Sequence, residues 1–384
     1  MQFEFGTAAR IIFGPGTLAG IGPIVRGFGQ RALVVHGSTP ARARGLLEAL
    51  STEGLKHTCF SVQGEPTIEQ LGEGLERGRE FEAEVVVGFG GGSVIDASKA
   101  IAGLSTNSGA VLDFLEVIGK GKPLARPALP CIAVPTTAGT GAEVTRNAVL
   151  ASPEHRLKVS LRSTFLVPRV ALVDPELTYD LPKMVTAFTG LDALTQLIEP
   201  FVSKRANPMT DAICREGLSR VAGSLQRVFE RGDDPAGRYD MSLVSLFGGL
   251  ALANSTLGAV HGFAGPLGGM FPAPHGAICA ALLPHVMKIN VRALLERAPD
   301  SPVLPRYGEI ASILTGAHDA AARDGIDWVT RVCTALQVRG LRTYGVTEND
   351  IPVLVEKATQ ASSTKGNPIA LTTAEMTEAL SQAL

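Results

Sequence analysis

The chain has 384 residues, 45% of them apolar and 19% charged, with 35 Lys and Arg against 37 Asp and Glu. A formal charge of -2 without any basic run argues against a nucleic-acid surface, and the length exceeds what one core usually serves, so two domains are expected. Five cysteines (Cys59, Cys131, Cys214, Cys279 and Cys333) are scattered with no CxxC pair, the usage of reduced, mostly buried thiols in a cytoplasmic protein.

The first half alternates short β-rich runs with helical stretches. The opening MQFEFGTAARIIFGPG alternates like a strand and lacks the basic and apolar regions of a signal peptide. RALVVHG (31–37) reads as a buried strand, followed by a helix over ARARGLLEALSTEG. HTCFSVQGEPT reads as a strand and turn, IEQLGEGLERGREFEA as a helix, and EVVVGFGGGS as a strand running into a glycine turn. CIAVPTTAGTG and RVALVDPEL supply two more strands. This alternation predicts an α/β domain with a mostly parallel sheet and helices on both faces.

After the strand through Val87, Gly90, Gly91 and Gly92 let the backbone turn sharply and approach a ligand, and Ser93 is placed to cap the next helix. Free N–H groups at that helix start, together with the helix dipole, favour an anion such as a pyrophosphate. The spacing is neither a Walker loop nor GxGxxG, and a tight turn without a ligand has the same local pattern. Placement at a strand C-terminus, where open α/β sheets bind ligands, favours the ligand. AVPTTAGTGAEVT (133–145) is a second loop at a strand end, with the hydroxyls of Thr136, Thr137 and Thr140 and the freedom of Gly139 and Gly141. Alone it reads equally as a polar turn; beside the first loop it reads as a cofactor contact.

Near Leu181-Pro182 the pattern changes to helices without convincing strands. The boundary therefore separates an α/β domain (1–181) from an all-helical domain (182–384). LPKMVTAFTGLDALTQLIEPFVS is a long helix, and in the next one Ile213, Leu218, Val221, Leu225 and Val228 repeat at helical spacing. MSLVSLFGGLALANSTLGAV and the segments from PRYGEIASILTG to TAEMTEALSQAL are helical too, while VHGFAGPLGGMFPAPHG is a Gly/Pro-rich stretch. The most apolar tract, ICAALLPHVM, is too short to span a bilayer and contains Pro284 and His285. Asp192 and Gln196 share a helix face, and with His261 and His275 they form a candidate ligand set for a divalent metal whose convergence must come from the fold. His285 is a further candidate for proton transfer.

Gly90-Gly91-Gly92-Ser93 with Asp96 and Lys99, Pro135 to Gly141, Asp174-Pro175, Thr189 to Ala193, and Pro274-His275-Gly276 occur in one order and at one spacing. In these motifs, and over nearly the whole chain, the sequence resembles the iron-containing (group III) alcohol dehydrogenases of the dehydroquinate synthase-like superfamily. The resemblance implies an N-terminal dinucleotide-binding α/β domain, an all-α C-terminal domain, and an active site in the cleft between them. It implies that Gly37, Gly90, Gly91, Gly92, Ser93 and Asp96 serve the cofactor, with the pyrophosphate at residues 91–93. Thr136, Thr137 and Thr140 would line the nicotinamide side, and Lys158 would face the cofactor. An Asp and three His hold the family's metal. Asp192, His261 and His275 match three of these, and Gln196 stands where the fourth is usually His. Gly265 stands where a further His is common near the reacting atoms.

An amide oxygen is a harder and weaker ligand than imidazole, so Asp, Gln and two His would hold Fe2+ or Zn2+ less tightly and tolerate Mn2+ or Mg2+ better. The expected reaction is NAD(P)-dependent interconversion of an alcohol and an aldehyde or ketone, with a metal polarising the alcohol oxygen. With glycine at 265, water, a ribose hydroxyl or His285 would carry the proton. The alternative is a maleylacetate reductase-like, metal-independent reduction of an oxo-acid; GGGSVIDASK favours the dehydrogenase. NAD-preferring members often carry an Asp after the strand that ends here in Gly37-Ser38. Its replacement tilts the cofactor slightly towards NADP, with Arg42 or Arg44 near the added phosphate and Glu65 arguing the other way. A cytoplasmic homo-oligomer, dimer or larger, acting on a small molecule with no nucleic-acid or membrane partner, completes the expectation.

Overall fold

The computed structural model describes residues 2–384. They form two compact units, one of residues 6–137 and 141–179, the other of residues 2–5, 138–140 and 180–384. The first contains β1 (Arg10–Phe13), β2 (Arg31–His36), β3 (Lys56–Ser61), β4 (Val85–Gly90), β5 (Cys131–Pro135), β6 (Asn147–Ser152), β7 (Leu157–Arg162) and β8 (Val170–Val173). Helices α1 (Ile21–Arg26), α2 (Arg44–Thr52), α3 (Ile68–Glu80), α4 (Gly92–Ser105) and α5 (Val111–Phe114) lie in the connections. All strands but β6 and β7 form one parallel sheet in the order β1-β8-β5-β4-β2-β3.

β2 and β4 are apolar runs without alternation because both sheet faces are covered. Leu33, Val35 and Val86 pack with Leu71, Leu75 and Ile101 of α3 and α4 on one face. Ala32, Val34, Val85 and Val87 pack with Ile21, Val25, Leu46 and Leu50 of α1 and α2 on the other. The chain runs from β2 outward to β3 and then crosses back to β4 on the opposite side of β2. That reversal is the switch point at which an open α/β sheet leaves a crevice beyond its strand C-termini. Among the described residues of the opening segment, only Arg10–Phe13 is a strand, paired with β8.

The antiparallel hairpin of β6 and β7 was not expected from the sequence. Ala148, Leu150, Val159 and Leu161 point its apolar face into the α3–α4 core, and Ala151 N–H bonds Pro66 O after β3 at 2.8 Å. Lys99 of α4 is fully buried. Its ammonium pairs with Asp96 at 2.8 Å and donates to Ala142 O and Thr145 Oγ1 at 3.0 Å each and to Asn147 O.

Nearby, Glu143 is 2% exposed. Burial, only partly offset by a local backbone hydrogen bond and the charge of Lys99, raises its carboxyl from 4.5 to about 7. A group raised in the folded state contributes stability that is complete below its unfolded value and lost as pH climbs through the folded one. Stability is therefore expected to fall by about 3 kcal/mol between the two values. Glu143→Gln is expected to remove this slope and to raise the urea midpoint at about pH 8 but not at about pH 5, which unfolding at the two pH values checks.

The second unit is helical: α6 (Lys183–Val202), α7 (Pro208–Glu230), α8 (Pro235–Asn254), α9 (Ala259–Met270), α10 (His275–Arg297), α11 (Leu304–Thr315), α12 (Ala322–Ala335), α13 (Ile351–Gln360) and α14 (Thr373–Gln382). One apolar core runs through it with α6 at its centre, buried without a break from residue 190 to 202. Such burial leaves the polar side chains of α6 in need of internal partners. Thr195 satisfies itself on Leu191 O at 2.7 Å; Asp192, Gln196 and Glu199 do not have that option.

The Gly/Pro-rich stretch is two helices, α9 with Pro266 inside it and the start of α10, joined by residues 271–274. ICAALLPHVM is thus part of a 23-residue helix. By length and hydropathy α10 could cross a membrane, yet 72% of its most apolar window is buried, which makes it a core helix.

Candidate active site

β4 ends at Gly90 and α4 begins at Gly92, with Gly91 as the N-cap. No side chain caps this helix, so Ser93 is not the cap expected from the sequence. Val94 and Ile95 return their N–H groups to Gly91 O at 3.0 and 3.1 Å. The first-turn amides of Gly92 and Ser93 have no acceptor within the helix, and the helix dipole adds a partial positive charge where they point.

The glycines have steric reasons. A Cβ on Gly88 would lie 2.4 Å from Ser98 Oγ, and one on Gly90 would lie 2.6 Å from Val94 Cβ, so α4 seats against β4 only with glycine at these positions. A Cβ on Gly91 would lie 3.3 Å from Thr137 Oγ1, and Thr136 N–H bonds Gly90 O at 2.9 Å. The loops after β4 and β5 therefore lie side by side. Gly37 follows β2, the strand beside β4, and a Cβ there would be 4.0 Å from Val94 Cγ2. Gly37, Gly90, Gly91, Gly92, Ser93, Thr136 and Thr137 are gathered at the β2/β4 switch point.

Other expected cofactor residues are placed differently. Thr140, with Ala138 and Gly139, packs with the helical unit, where a Cβ on Gly139 would lie 2.6 Å from Thr189 Cβ. Asp96 is drawn inward by Lys99 and accepts from Val149 N–H at 3.0 Å, tying α4 to β6. Lys158 pairs with Glu65 at 2.9 Å, so two residues read separately from the sequence neutralise each other. Arg42 donates to Leu177 O at 2.9 Å.

In the helical unit, Asp192 Oδ1 lies 3.4 Å from His261 Nε2 and 3.6 Å from His275 Nε2. The oxygen is enclosed and has no well-formed hydrogen bond. Cys279 Sγ lies 3.9 Å from His261 Nε2 and 3.8 Å from His275 Nε2. One ligand atom from each of Asp192, His261, His275 and Cys279 falls within 4.8 Å of all the others. An orphaned carboxylate oxygen facing two imidazole nitrogens and a thiol fits a divalent cation.

Local sequence explains the convergence. Asp192 sits at the centre of α6. His261 occupies the first turn of α9, whose N-cap Gly258 offers no side chain. Glu199 of α6 replaces that cap: Oε1 accepts from Val260 N–H and Oε2 from His261 Nδ1–H, both at 2.7 Å. A carboxylate can only accept, so the proton stays on Nδ1 and Nε2 faces Asp192. A Cβ on Gly258 would lie 2.8 Å from Glu199 Oε1, so a side chain there would push the carboxylate out of this position. His275 opens α10 beside Gly276, where a Cβ would lie 2.2 Å from Phe188 O; this close approach brings α10 against α6. Cys279 follows one turn later on the same face.

Burial opposes charge on every member, and mutual attraction outweighs it. Asp192 is held below its ordinary value by His275 and His261. Both imidazoles are raised by Cys279 and Asp192, and the Cys279 thiol is lowered by both imidazoles.

Gln196 shares the face of Asp192, as its spacing predicts, and donates its amide to that carboxylate. Its Oε1 is buried without a partner beside Gly248, where a Cβ would lie 3.3 Å away. His285 does not join the cluster. It lies ten residues beyond His275, about 15 Å along the axis of α10, where burial lowers its pKa and Gln382 is its hydrogen-bond partner. Cys279 and Glu199 were not singled out in the sequence, although the signal was present. Cys279 is four residues from His275, and Glu199 is seven from Asp192, both helical spacings.

A glycine turn at the sheet's switch point and a metal-type Asp/His/His/Cys cluster among the helices are the features of an oxidoreductase. The chain belongs to the iron-containing alcohol dehydrogenase family. Residues 8–175 match that family's model, and residues 186–384 match the model of the C-terminal region of the Fe-containing alcohol dehydrogenase family. The chain is 36% identical to alcohol dehydrogenase 4 of Schizosaccharomyces pombe over 85% of its length and 75% of the relative's. It is 30% identical to the NAD-dependent methanol dehydrogenase of Bacillus methanolicus over 97% of both chains. A crystal structure of a 1,3-propanediol oxidoreductase superposes with a TM-score of 0.92 at 31% identity over all of both chains. The chain is accordingly an NAD(P)-dependent oxidoreductase interconverting alcohols and carbonyl compounds, with the dehydroquinate synthase-like fold.

Proposed function

We propose that the chain transfers hydride between a small alcohol and either NAD(H) or NADP(H), with a divalent transition metal, Fe2+ or Zn2+, held at the Asp192 cluster. The observation that carries this reading is the buried, unpartnered Asp192 Oδ1 facing the Nε2 atoms of His261 and His275. When bound, the metal would supply a Lewis acid that lowers the pKa of the alcohol hydroxyl. The residues of the chain do the rest. Glu199 holds His261 in the required tautomer. The amides of Gly92 and Ser93 anchor the pyrophosphate, and Thr137 stands beside them. A Cβ on Gly265 would meet nothing within 4 Å, so the space of the family's usual imidazole is open, and a water there would accept the alcohol proton.

Small alcohols are supported by relatives named for methanol and 1,3-propanediol. Acceptance of NADP(H) is supported by Gly37-Ser38, which brings no carboxylate against a 2′-phosphate; with Arg42 engaged on Leu177, Arg44 is the cation left for that phosphate. The oxo-acid reductase alternative is not favoured, because the relatives are alcohol dehydrogenases and the metal-type cluster is intact. A cytoplasmic homo-oligomer remains our reading, with five free cysteines as support for a reducing compartment.

The test is oxidation of NADH and NADPH with short aldehydes before and after exhaustive chelation. Turnover is expected with both cofactors at kcat/KM values within about tenfold, to vanish on chelation, and to return with Fe2+ or Zn2+. Undiminished turnover by verified metal-free protein would overturn the metal-assisted reading.

A further inference from the structure

We infer that Cys279 is a metal ligand, and that the fourth donor, histidine at the position of Gln196 on α6 in the family pattern, has moved to α10 as a thiolate. This rests on the metal-assisted reading above and goes beyond it by replacing the donor set of Asp, Gln and two His with Asp, two His and Cys.

Geometry is the first support. A tetrahedral ion with bonds of about 2.1 Å to N and O and about 2.3 Å to S places N and O about 3.4 Å apart, and N and S about 3.6 Å apart. The corresponding separations here are 3.4 and 3.6 Å from Asp192 Oδ1 to the two imidazoles, and 3.9 and 3.8 Å from Cys279 Sγ to the same nitrogens. Four of the six edges between donor atoms are thus within about 0.3 Å of those around such an ion, and all four donors lie within 4.8 Å of one another.

Placement is the second. His275 and Cys279 are i, i+4 on one helix, the spacing that puts two ligands on one face. Gln196 has the same spacing from Asp192, but its amide nitrogen holds the Asp192 carboxylate, and its oxygen, buried without a partner, lies beside Gly248. It steadies a ligand and is not one. Asp192 Oδ1, 98% buried by the 2% exposure of its residue, supplies an independent mark that the space between these atoms is meant for a cation.

The exchange changes which ion the site prefers. A hard amide oxygen in fourth place would favour Mn2+ or Mg2+, whereas a thiolate favours Zn2+, Fe2+ or Co2+. A bound metal would hold Cys279 as the thiolate.

The full-length protein, stripped by chelation and titrated with Co2+, tests this without recourse to activity. The wild type is expected to show a thiolate-to-cobalt charge-transfer band in the near ultraviolet beside the visible bands of a tetrahedral ion. Cys279→Ser is expected to lose the charge-transfer band and to bind Zn2+ at least about 100-fold more weakly in competition with a chelator. Gln196→Ala is expected to keep the band and to lose less affinity than Cys279→Ser, as befits a partner of the Asp192 carboxylate that is not a donor to the metal. Because the wild-type spectrum alone reads the thiolate, the test survives a variant that folds poorly. Cobalt uptake without a charge-transfer band, or a band that persists in Cys279→Ser, overturns the inference while leaving the metal reading standing. No cobalt uptake at all overturns both.

Discussion

Asp192→Asn is expected to lower kcat/KM by at least about a thousandfold, close to 4 kcal/mol of transition-state stabilisation. Asparagine has the same shape and can still accept from Gln196, so the helix packing around position 192 is kept. What disappears is the anion, and with it the charge that draws a divalent ion between two imidazoles. The Asp192 oxygen is buried and has no well-formed hydrogen bond. A structural carboxylate at the centre of a helical core would instead be satisfied. Metal-free Asp192→Asn is expected to unfold at a moderately lower urea concentration than metal-free wild type, because in the stripped protein the carboxylate attracts the two imidazoles. Three measurements decide the matter: kcat/KM, bound metal after dialysis, and urea unfolding of the stripped proteins. Retention of about a tenth or more of the wild-type kcat/KM, or a large fall in the stripped protein's midpoint, would make Asp192 a packing residue.

The sheet was legible in the sequence for the reason that makes it stable. RALVVHG and EVVVGFGGGS are buried on both faces, so their apolar residues run on without alternation and stand out. The hairpin of β6 and β7 has one buried face, and its signal is the weaker alternation of Ala148, Leu150, Val159 and Leu161, interrupted by the turn at Pro153. The site was legible in parts. Asp192, His261, His275 and the glycine loop are residue types whose chemistry is uncommon in an apolar context. Their convergence was not legible, because it depends on close approaches such as Gly276 to Phe188 and Gly258 to Glu199, which have no marker beyond a glycine among many. Cys279 was hidden by its composition: a lone cysteine in an apolar run reads as core, and only the fold puts its sulfur beside two imidazoles. Asp96, Lys158 and Glu65 have a structural task that the motif alone does not show. Charged residues near a cofactor motif suggest ligand contacts, yet here they pair with Lys99 and with each other to fasten the hairpin.

Glu199→Gln is expected to weaken metal binding by about 10- to 100-fold, although residue 199 is not itself a ligand. The carboxylate performs two tasks that no neutral group combines. It accepts from His261 Nδ1–H, which leaves Nε2 as the donor atom and makes it more basic, and it accepts from Val260 N–H at an α9 terminus that has no side-chain cap. Glutamine can perform only one of these with its oxygen. If the oxygen goes to Val260, the amide nitrogen meets Nδ1, two donors oppose each other, and the imidazole must turn or shift its proton to Nε2, where it blocks the metal. If the oxygen goes to His261, an α9 amide is left buried and unpaired, at a cost of about 1–3 kcal/mol. Either outcome also removes a negative charge from a helix N-terminus. The two roles separate by measurement. Chelator competition reads the imidazole, and urea unfolding of the stripped protein reads the helix terminus. A fall in unfolding free energy with unchanged metal affinity would assign Glu199 to the start of α9 alone. Weakened binding is the expected result and places Glu199 as the residue that makes His261 a ligand.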